Sequence, residues 1–307
     1  MDAEGGPSQG WRKAPQKMTS LVYHAGALGD FITTLPAMAA WRRLHEGERI
    51  VLLGKPAYAA LATSMFDEVL DVESTLCAPL FSAETGTPAL LVERLSRVTS
   101  ALLFAHATSP LVERLKAADV RSILCQDPFP SSPTPIVDYH LSLFPELAFT
   151  EEERVPRVDS AGPARPPART TVAVHPGSGS SQKNWPLARF TEVARCLESE
   201  GESVAWIVGP AESDIVLPSD ARTWRDLRPH PLAGSLACCR LYLGNDSGVT
   251  HLAAACGCPT VVLFGASDPR VWLPRGRTVH VVHSSGAGMD GISAERVLFE
   301  CRKLLGR

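Results

Sequence analysis

No run in the 307-residue chain reaches the ~18–20 consecutive apolar residues that a membrane-spanning helix requires. The opening residues, MDAEGGPSQGWRKAPQKMTS, contain no apolar core of a secretory signal. They read as a disordered extension over 1–18, with Met18 a candidate start. Basic charge is not in excess. Thirty Lys and Arg stand against 33 Asp and Glu, a net charge of −3, so no overall positive field argues for a nucleic-acid partner. The eight cysteines form no C-x-x-C pair, and no histidine cluster has zinc spacing. Cys238, Cys239, Cys256 and Cys258 lie in small-residue helix or turn contexts that suit buried free thiols. That implies a reducing compartment, the cytoplasm. Short-period repeats and coiled-coil heptads are also missing.

What is present is the balance of a soluble globular protein, 45% apolar and 21% charged, at a length comfortable for two domains. Short apolar runs alternate with helical stretches. LVYHA (21–25) leads into an amphipathic segment from about 28 to 45, RIVLLG (49–54) precedes PAYAALATS, and ALLFA (101–105) precedes SPLVERLKAA. Such alternation predicts parallel βαβ units. The proline-rich stretch 154–170 interrupts any regular element and reads as a linker. After it the pattern restarts with TVAVH, SVAWIVG, RLYLGN, TVVLFG and HVVH, and ends in the helical SAERVLFECRKLL. The expected class is therefore α/β. One domain spans 19–153 and a second 171–290, with a cleft between them and a final segment at 291–307. Ligands of open parallel sheets bind outside the carboxyl ends of the strands.

Four polar corners follow expected strands. In HAGALGDFITTLP (24–36), Gly26 and Gly29 permit a close backbone approach, and Asp30 sits at a helix start. The spacing there is not G-x-G-x-x-G. Asp30 is either a helix cap or a carboxylate placed as a general base. In HPGSGSSQKNWP (175–186), Gly177, Ser178, Gly179, Ser180 and Ser181 can turn N–H and hydroxyl groups toward an oxyanion, and Lys183 adds a point charge. A plain flexible loop is the alternative, and a Walker A loop is excluded by spacing. In VGPAESD (208–214), Glu212 is a surface glutamate or the acceptor of two ribose hydroxyls. In LGNDSGVTHLAAACG (243–257), Asn245 or Asp246 can cap a helix while the Ser247 and Gly248 N–H groups face an anion. His251 lies one turn further on the same face, packed or functional. No D-x-D occurs, so a sugar-nucleotide enzyme of this design would neutralise its diphosphate with helix starts, hydroxyls and Lys183 rather than with a metal clamp.

Taken in order, GALGDFITTLPA, HPGSGSSQKNWP, VGPAESD and LGNDSGVTHLAAACGCPTVVLFGASDP resemble glycosyltransferase family 9, which contains the ADP-heptose–lipopolysaccharide heptosyltransferases. The resemblance runs over most of residues 20 to 305. It implies a GT-B fold, two Rossmann-like domains facing a cleft, with residues 291–307 crossing back as a helix to the first domain. It implies an inverting, metal-independent transfer of a sugar, heptose from ADP-heptose, to a lipopolysaccharide-core or other cell-envelope acceptor. By motif match Asp30 would be the base, with Gly29 and Thr33 beside it on the acceptor side. Lys183, with Gly177, Ser178 and Ser181, would bind the leaving diphosphate, Glu212 the ribose, and Asp246, Ser247, Gly248 and His251 the phosphates and donor sugar. No metal and no cofactor beyond the nucleotide sugar would be needed. An epimerase or hydrolase on the same fold, or a nucleotide-sugar binder without catalysis, are the alternatives. Basic residues in 42–49 and 114–121 offer either a peripheral contact with the inner membrane or solvated helix surface.

Overall fold

The computed structural model describes residues 18–82, 89–159, 172–284, 286 and 288–307. The expected extension, apart from Met18, and most of the expected linker (160–170) lie outside the described residues. In the first half the chain forms β1 (Thr19–His24), α1 (Leu28–Leu44), β2 (Arg49–Gly54), α2 (Pro56–Ala59), β3 (Glu68–Asp71), α3 (Ala89–Leu95), β4 (Val98–Phe104), α4 (Pro110–Ala117), β5 (Ser122–Gln126) and α5 (Ile136–Leu141). Its sheet has the order β3-β2-β1-β4-β5, and every pairing is parallel.

The second half repeats the plan. It runs β6 (Val172–His175), α6 (Leu187–Ser199), β7 (Val204–Val208), β8 (Thr223–Arg225), α7 (Pro229–Leu236), β9 (Leu241–Asn245), α8 (Gly248–Ala255), β10 (Thr260–Phe264), α9 (Pro269–Trp272), β11 (Val279–His283) and α10 (Ala294–Leu305). The order β11-β10-β9-β6-β7-β8 is again all parallel. Each sheet reverses its direction of growth beside its first strand, at β1/β4 and at β6/β9. Crevices open at such switch points. Central strands such as β7 (VAWIV), β9 (LYLGN) and β10 (TVVLF) are buried along their whole length, which is why they read as near-continuous apolar runs. β3 (EVLD), β5 (SILCQ) and β8 (TWR) stand at sheet edges, half-exposed, and carry the polar residues that conceal them in the sequence.

Two expectations are corrected. Helix α1 is not amphipathic. All of Phe31 to Trp41 except Ala39 is buried, because α5 covers it on one side and α8 of the other half on another. Thr33 and Thr34 tolerate that burial by donating their hydroxyls to the Asp30 and Phe31 carbonyls, at 2.9 and 2.7 Å. Nor does the segment 291–307 return to the first half. α10 lays Val297, Cys301 and Leu305, spaced for one helical face, into the second half's own core beside Trp185 and Phe190. The segment that does cross is 269–275. Trp272 packs against the first half's core, and Arg275 pairs with Asp138 and Glu151.

Candidate active site

The two halves meet where α1 and α8 begin. A Cβ placed on Gly248 would come within 2.9 Å of the Gly29 amide nitrogen, and one on Gly29 within 3.3 Å of the Gly248 Cα. Only glycine lets two helix starts approach this closely. Both helices direct the positive ends of their dipoles and their first N–H groups into the same cleft. A cavity of about 270 Å³ opens there, lined from one half by Gly29, Asp30 and Thr33 and from the other by Lys183, Asp246, Ser247, Gly248 and His251. A second cleft of about 400 Å³ adjoins it. The two share Ala27, Gly29, Gly179, Ser247 and Gly248, and the second reaches His175, Ser178, Glu212 and Leu232. Another cavity of about 270 Å³ lies at the opposite, amino end of the first sheet. Leu and Val dominate it, and Arg49 and Arg94 at its edge are both paired with Glu68, so it offers no reactive set.

Asp30 is the third residue of α1, and its Oδ2 accepts the Ala27 N–H at 3.1 Å. It thus caps the helix start and faces the cavity at once. Burial pushes its carboxyl above the ordinary aspartate value; the Ala27 N–H and Lys183 pull it back, and Asp246 pushes it further up. A carboxylate of raised basicity is what a base for a hydroxyl requires.

In the second half Lys183 donates to Asp246 Oδ2 at 2.7 Å, and Ser267 donates to the same oxygen at 2.7 Å. Asp246 is buried, and His251 Nε2 lies 3.9 Å from its other oxygen. Burial favours the neutral imidazole of His251 against the pull of Asp246. The helix cap is Ser247, not Asn245 or Asp246: its Oγ accepts the Thr250 N–H. Asp246 is committed to Lys183, while Asn245 accepts the Trp185 N–H at 3.0 Å and donates to the Pro176 carbonyl at 2.8 Å, stapling the β6 loop to β9.

Glu212 is buried, and its carboxylate accepts the Gly209 N–H at 2.8 Å. The His175 imidazole, at 3.7 Å too far for a direct hydrogen bond, acts with that N–H to hold the carboxyl below its usual range despite burial. A Cβ on Gly177 would meet Glu212 Oε1 at 2.0 Å, so Gly177 supplies space for the carboxylate. Ser178 lines the second cleft, but its hydroxyl is engaged with Asn184 Oδ1 and the Ser180 carbonyl, both at 2.7 Å. Ser181 is exposed on the turn 181–183 and lines neither cavity. His175 and Ser267 were not anticipated. Each lies next to or within a quoted motif, but its partner is distant in the chain.

Fold and site together define a two-domain α/β protein whose paired helix starts suit a diphosphate-bearing ligand. The profile of glycosyltransferase family 9 (heptosyltransferase) matches residues 131–292, more than half of the chain. The chain belongs to that family. Lipopolysaccharide heptosyltransferase 3 of Escherichia coli is 29% identical over 113 residues, 34% of this chain and 33% of the relative, so the match spans about a third of the relative's length. The structure of the E. coli ADP-heptose lipopolysaccharide heptosyltransferase II superposes with a TM-score of 0.75 at 18% identity, covering 94% of this chain and 98% of that one. The iron-containing dodecameric glycosyltransferase TibC of E. coli superposes at 0.65 and 16% identity, covering 96% and 80%. At these identities the structural likeness concerns the fold, which is GT-B.

Proposed function

We propose that this protein is an inverting glycosyltransferase that moves a sugar, heptose from ADP-heptose, to a hydroxyl of a lipopolysaccharide-core or other cell-envelope glycan. The observation that carries the reading is the meeting of two helix starts at Gly29 and Gly248, with the base candidate Asp30 on one and the Lys183–Asp246–His251 group beside the other. In the proposed step the acceptor O–H gives its proton to Asp30 as its oxygen bonds to the anomeric carbon. The bond from that carbon to the diphosphate oxygen breaks on the opposite face, and the electron pair leaves with the nucleoside diphosphate. Lys183 and the N–H groups opening α8 meet the charge that develops there. Glu212 would receive the ribose in the second cleft, and Ser178, Gly177 and Ser181 would serve only through the shape of their loop.

Metal independence belongs to the same proposal. Among the described residues no three His, Cys, Asp or Glu side chains are grouped to hold an ion, and Lys183 carries the positive charge at the site. Transfer in EDTA equal to transfer without it is the expected result. A cytoplasmic location is proposed as well. No described helix is long and apolar enough to cross a membrane. Three basic residues of 42–49 are paired, Arg42 with Asp67, Arg43 with Glu153 and Arg49 with Glu68, which favours solvated surface over a membrane face. The deciding experiment incubates the protein with ADP-heptose and a series of lipopolysaccharides truncated at successive core sugars, neutral-ended ones included, and follows ADP release and the anomeric configuration of the product by NMR. An inverted glycoside is expected; retention of configuration, or no transfer from any nucleotide sugar, overturns the reading.

A further inference from the structure

Two aromatic side chains line the 270 Å³ cavity on its acceptor side: Phe129 from the first half and Trp272 from the second. Their ring centroids are 5.7 Å apart with planes at 69°, so they touch edge to face across the junction between the halves. Phe129 is 52% exposed, an unfavourable place for a phenyl ring unless something covers it. The backbone that presents it is stiff. Phe129 stands between Pro128 and Pro130 in the loop DPFPSSPTP, where proline restricts both itself and the residue before it. The base of the loop is pinned as well. Asp127 engages His106 Nδ1 at 2.7 Å through its side chain and accepts the Tyr139 hydroxyl at 3.0 Å through its carbonyl. Trp272 is fixed from the other side by Arg275, which pairs with Asp138 three residues before α5 ends. An exposed ring on a braced loop, opposite a braced tryptophan, is a preorganised surface rather than a loose one.

Charge in the cavity points to what the surface accepts. Among the described lining residues the one cation is Lys183, already bound to Asp246, while Asp30 stands on the acceptor side with no cation at hydrogen-bonding distance. An acidic or phosphorylated ring seated against Asp30 would meet a like charge with no counter-charge of its own. A neutral ring would not. Its C–H faces can lie against the aromatic rings while its hydroxyls reach Asp30 and Thr33.

We infer that Phe129 and Trp272 form the platform on which the acceptor's terminal ring stacks, and that this ring is a neutral sugar rather than a carboxylated or phosphorylated one. The inference rests on the transfer reading of the cleft. Its test uses a matched pair of probes, methyl glucoside and methyl glucuronide, which differ by one carboxylate. Their binding to the full-length protein in the presence of ADP is followed by saturation-transfer NMR. The neutral glycoside is expected to bind the wild type, and the glucuronide at least about 10-fold more weakly. F129A is expected to weaken the neutral probe about 2- to 10-fold, the range of one aromatic contact, and F129Y to restore it. A thermal shift with ADP, unchanged in F129A, shows that the fold and the donor side are intact. Equal or tighter binding of the glucuronide, no binding of either glycoside, or an unaltered F129A overturns the inference. A wild type that binds methyl glucoside but transfers nothing from any nucleotide sugar breaks the transfer reading instead.

Discussion

The first sheet ends its central strand β1 in a single reactive group, Asp30, while the second ends three strands, β6, β7 and β9, in Lys183, Glu212 and Asp246. Both halves were built on one strand order, and both place their polar corners beside the switch point. The difference lies in what those corners touch. Those of the second half are tied to one another: Lys183 and Ser267 to Asp246, His175 between Glu212 and Ser247, Asn245 across to Pro176 and Trp185. Among the described residues the Asp30 carboxylate is tied by hydrogen bonds only to its own helix start. A cross-braced half suits a ligand that must be held in one pose, and a lone carboxylate with a stiff aromatic neighbour suits a ligand that is exchanged. On the proposed reading, an architecture repeated by the chain serves two duties.

Removing the lone group should have the largest effect. Asp30→Asn keeps the shape and loses the proposed base, so the transfer rate should fall by about 10²- to 10⁴-fold while ADP affinity stays the same. Isothermal titration beside a rate assay reads both; an equal loss of affinity would place Asp30 among the donor contacts and erase the division of labour. The pH profile sharpens the point. Burial raises the Asp30 carboxyl, and the base must be ionised, so activity should disappear on acidification at a higher pH than an ordinary aspartate would give. Lys183 opposes that rise, so its removal should move the acid limb further up.

Lys183→Ala should be next in size. Its ammonium group is a charged contact of about 1.5–3 kcal/mol, so ADP should bind roughly 10- to 150-fold more weakly. An unchanged ADP affinity would mean that Lys183 serves only to neutralise Asp246. Gly177→Ala should be smaller and confined to the second cleft. The new methyl would sit 2.0 Å from the present Glu212 oxygen, and the carboxylate must turn out of its hydrogen bond with the Gly209 N–H. A rise in donor KM worth about 1–3 kcal/mol is expected, with kcat little changed.

How far the sequence disclosed this arrangement depends on the range of the interaction that decides each feature. Strands β1, β2, β4, β6, β7, β9 and β10 were legible because burial on both faces writes an apolar run into the chain. The edge strands β3, β5 and β8 were not, because a half-exposed EVLD or TWR looks like turn or helix surface, whereas the edge strand β11 was read from its HVVH run. Asp246 and Ser247 are both good helix caps. The choice between them is made by Lys183, 63 residues earlier, which takes Asp246 and leaves the cap to Ser247. Ser267 and His175 were missed for the same reason. In α10 the apolar face at 297, 301 and 305 is plain from periodicity, but periodicity does not say which sheet receives it, and the groove beside α6 does. The four corners were found because their meaning is local: small and polar residues directly after a strand.

The smallest effect at neutral pH separates the halves by stability rather than chemistry. His24 ends β1 inside the first half's core, edge-on to Phe31 and Phe104, and its Nδ1 has no hydrogen-bond partner among the described residues. Burial, with His140 and Lys55 nearby, pushes its imidazole from 6.5 down to about 3, and burial pushes His140 to about 4. The folded form therefore excludes a proton that the unfolded chain binds once the pH drops below 6.5. Stability is complete above that value and falls as pH decreases toward the folded values, by at most about 1.4 kcal/mol per pH unit for each histidine. His24→Leu removes an unsatisfied buried nitrogen and keeps an apolar side chain of similar reach. At pH 7 its stability should lie within about 1 kcal/mol of the wild type. At pH 5 the variant should have lost about 2 kcal/mol less than the wild type in urea unfolding. If both lose stability equally between pH 7 and 5, the acid sensitivity lies elsewhere, and the first half is no more proton-sensitive than the second.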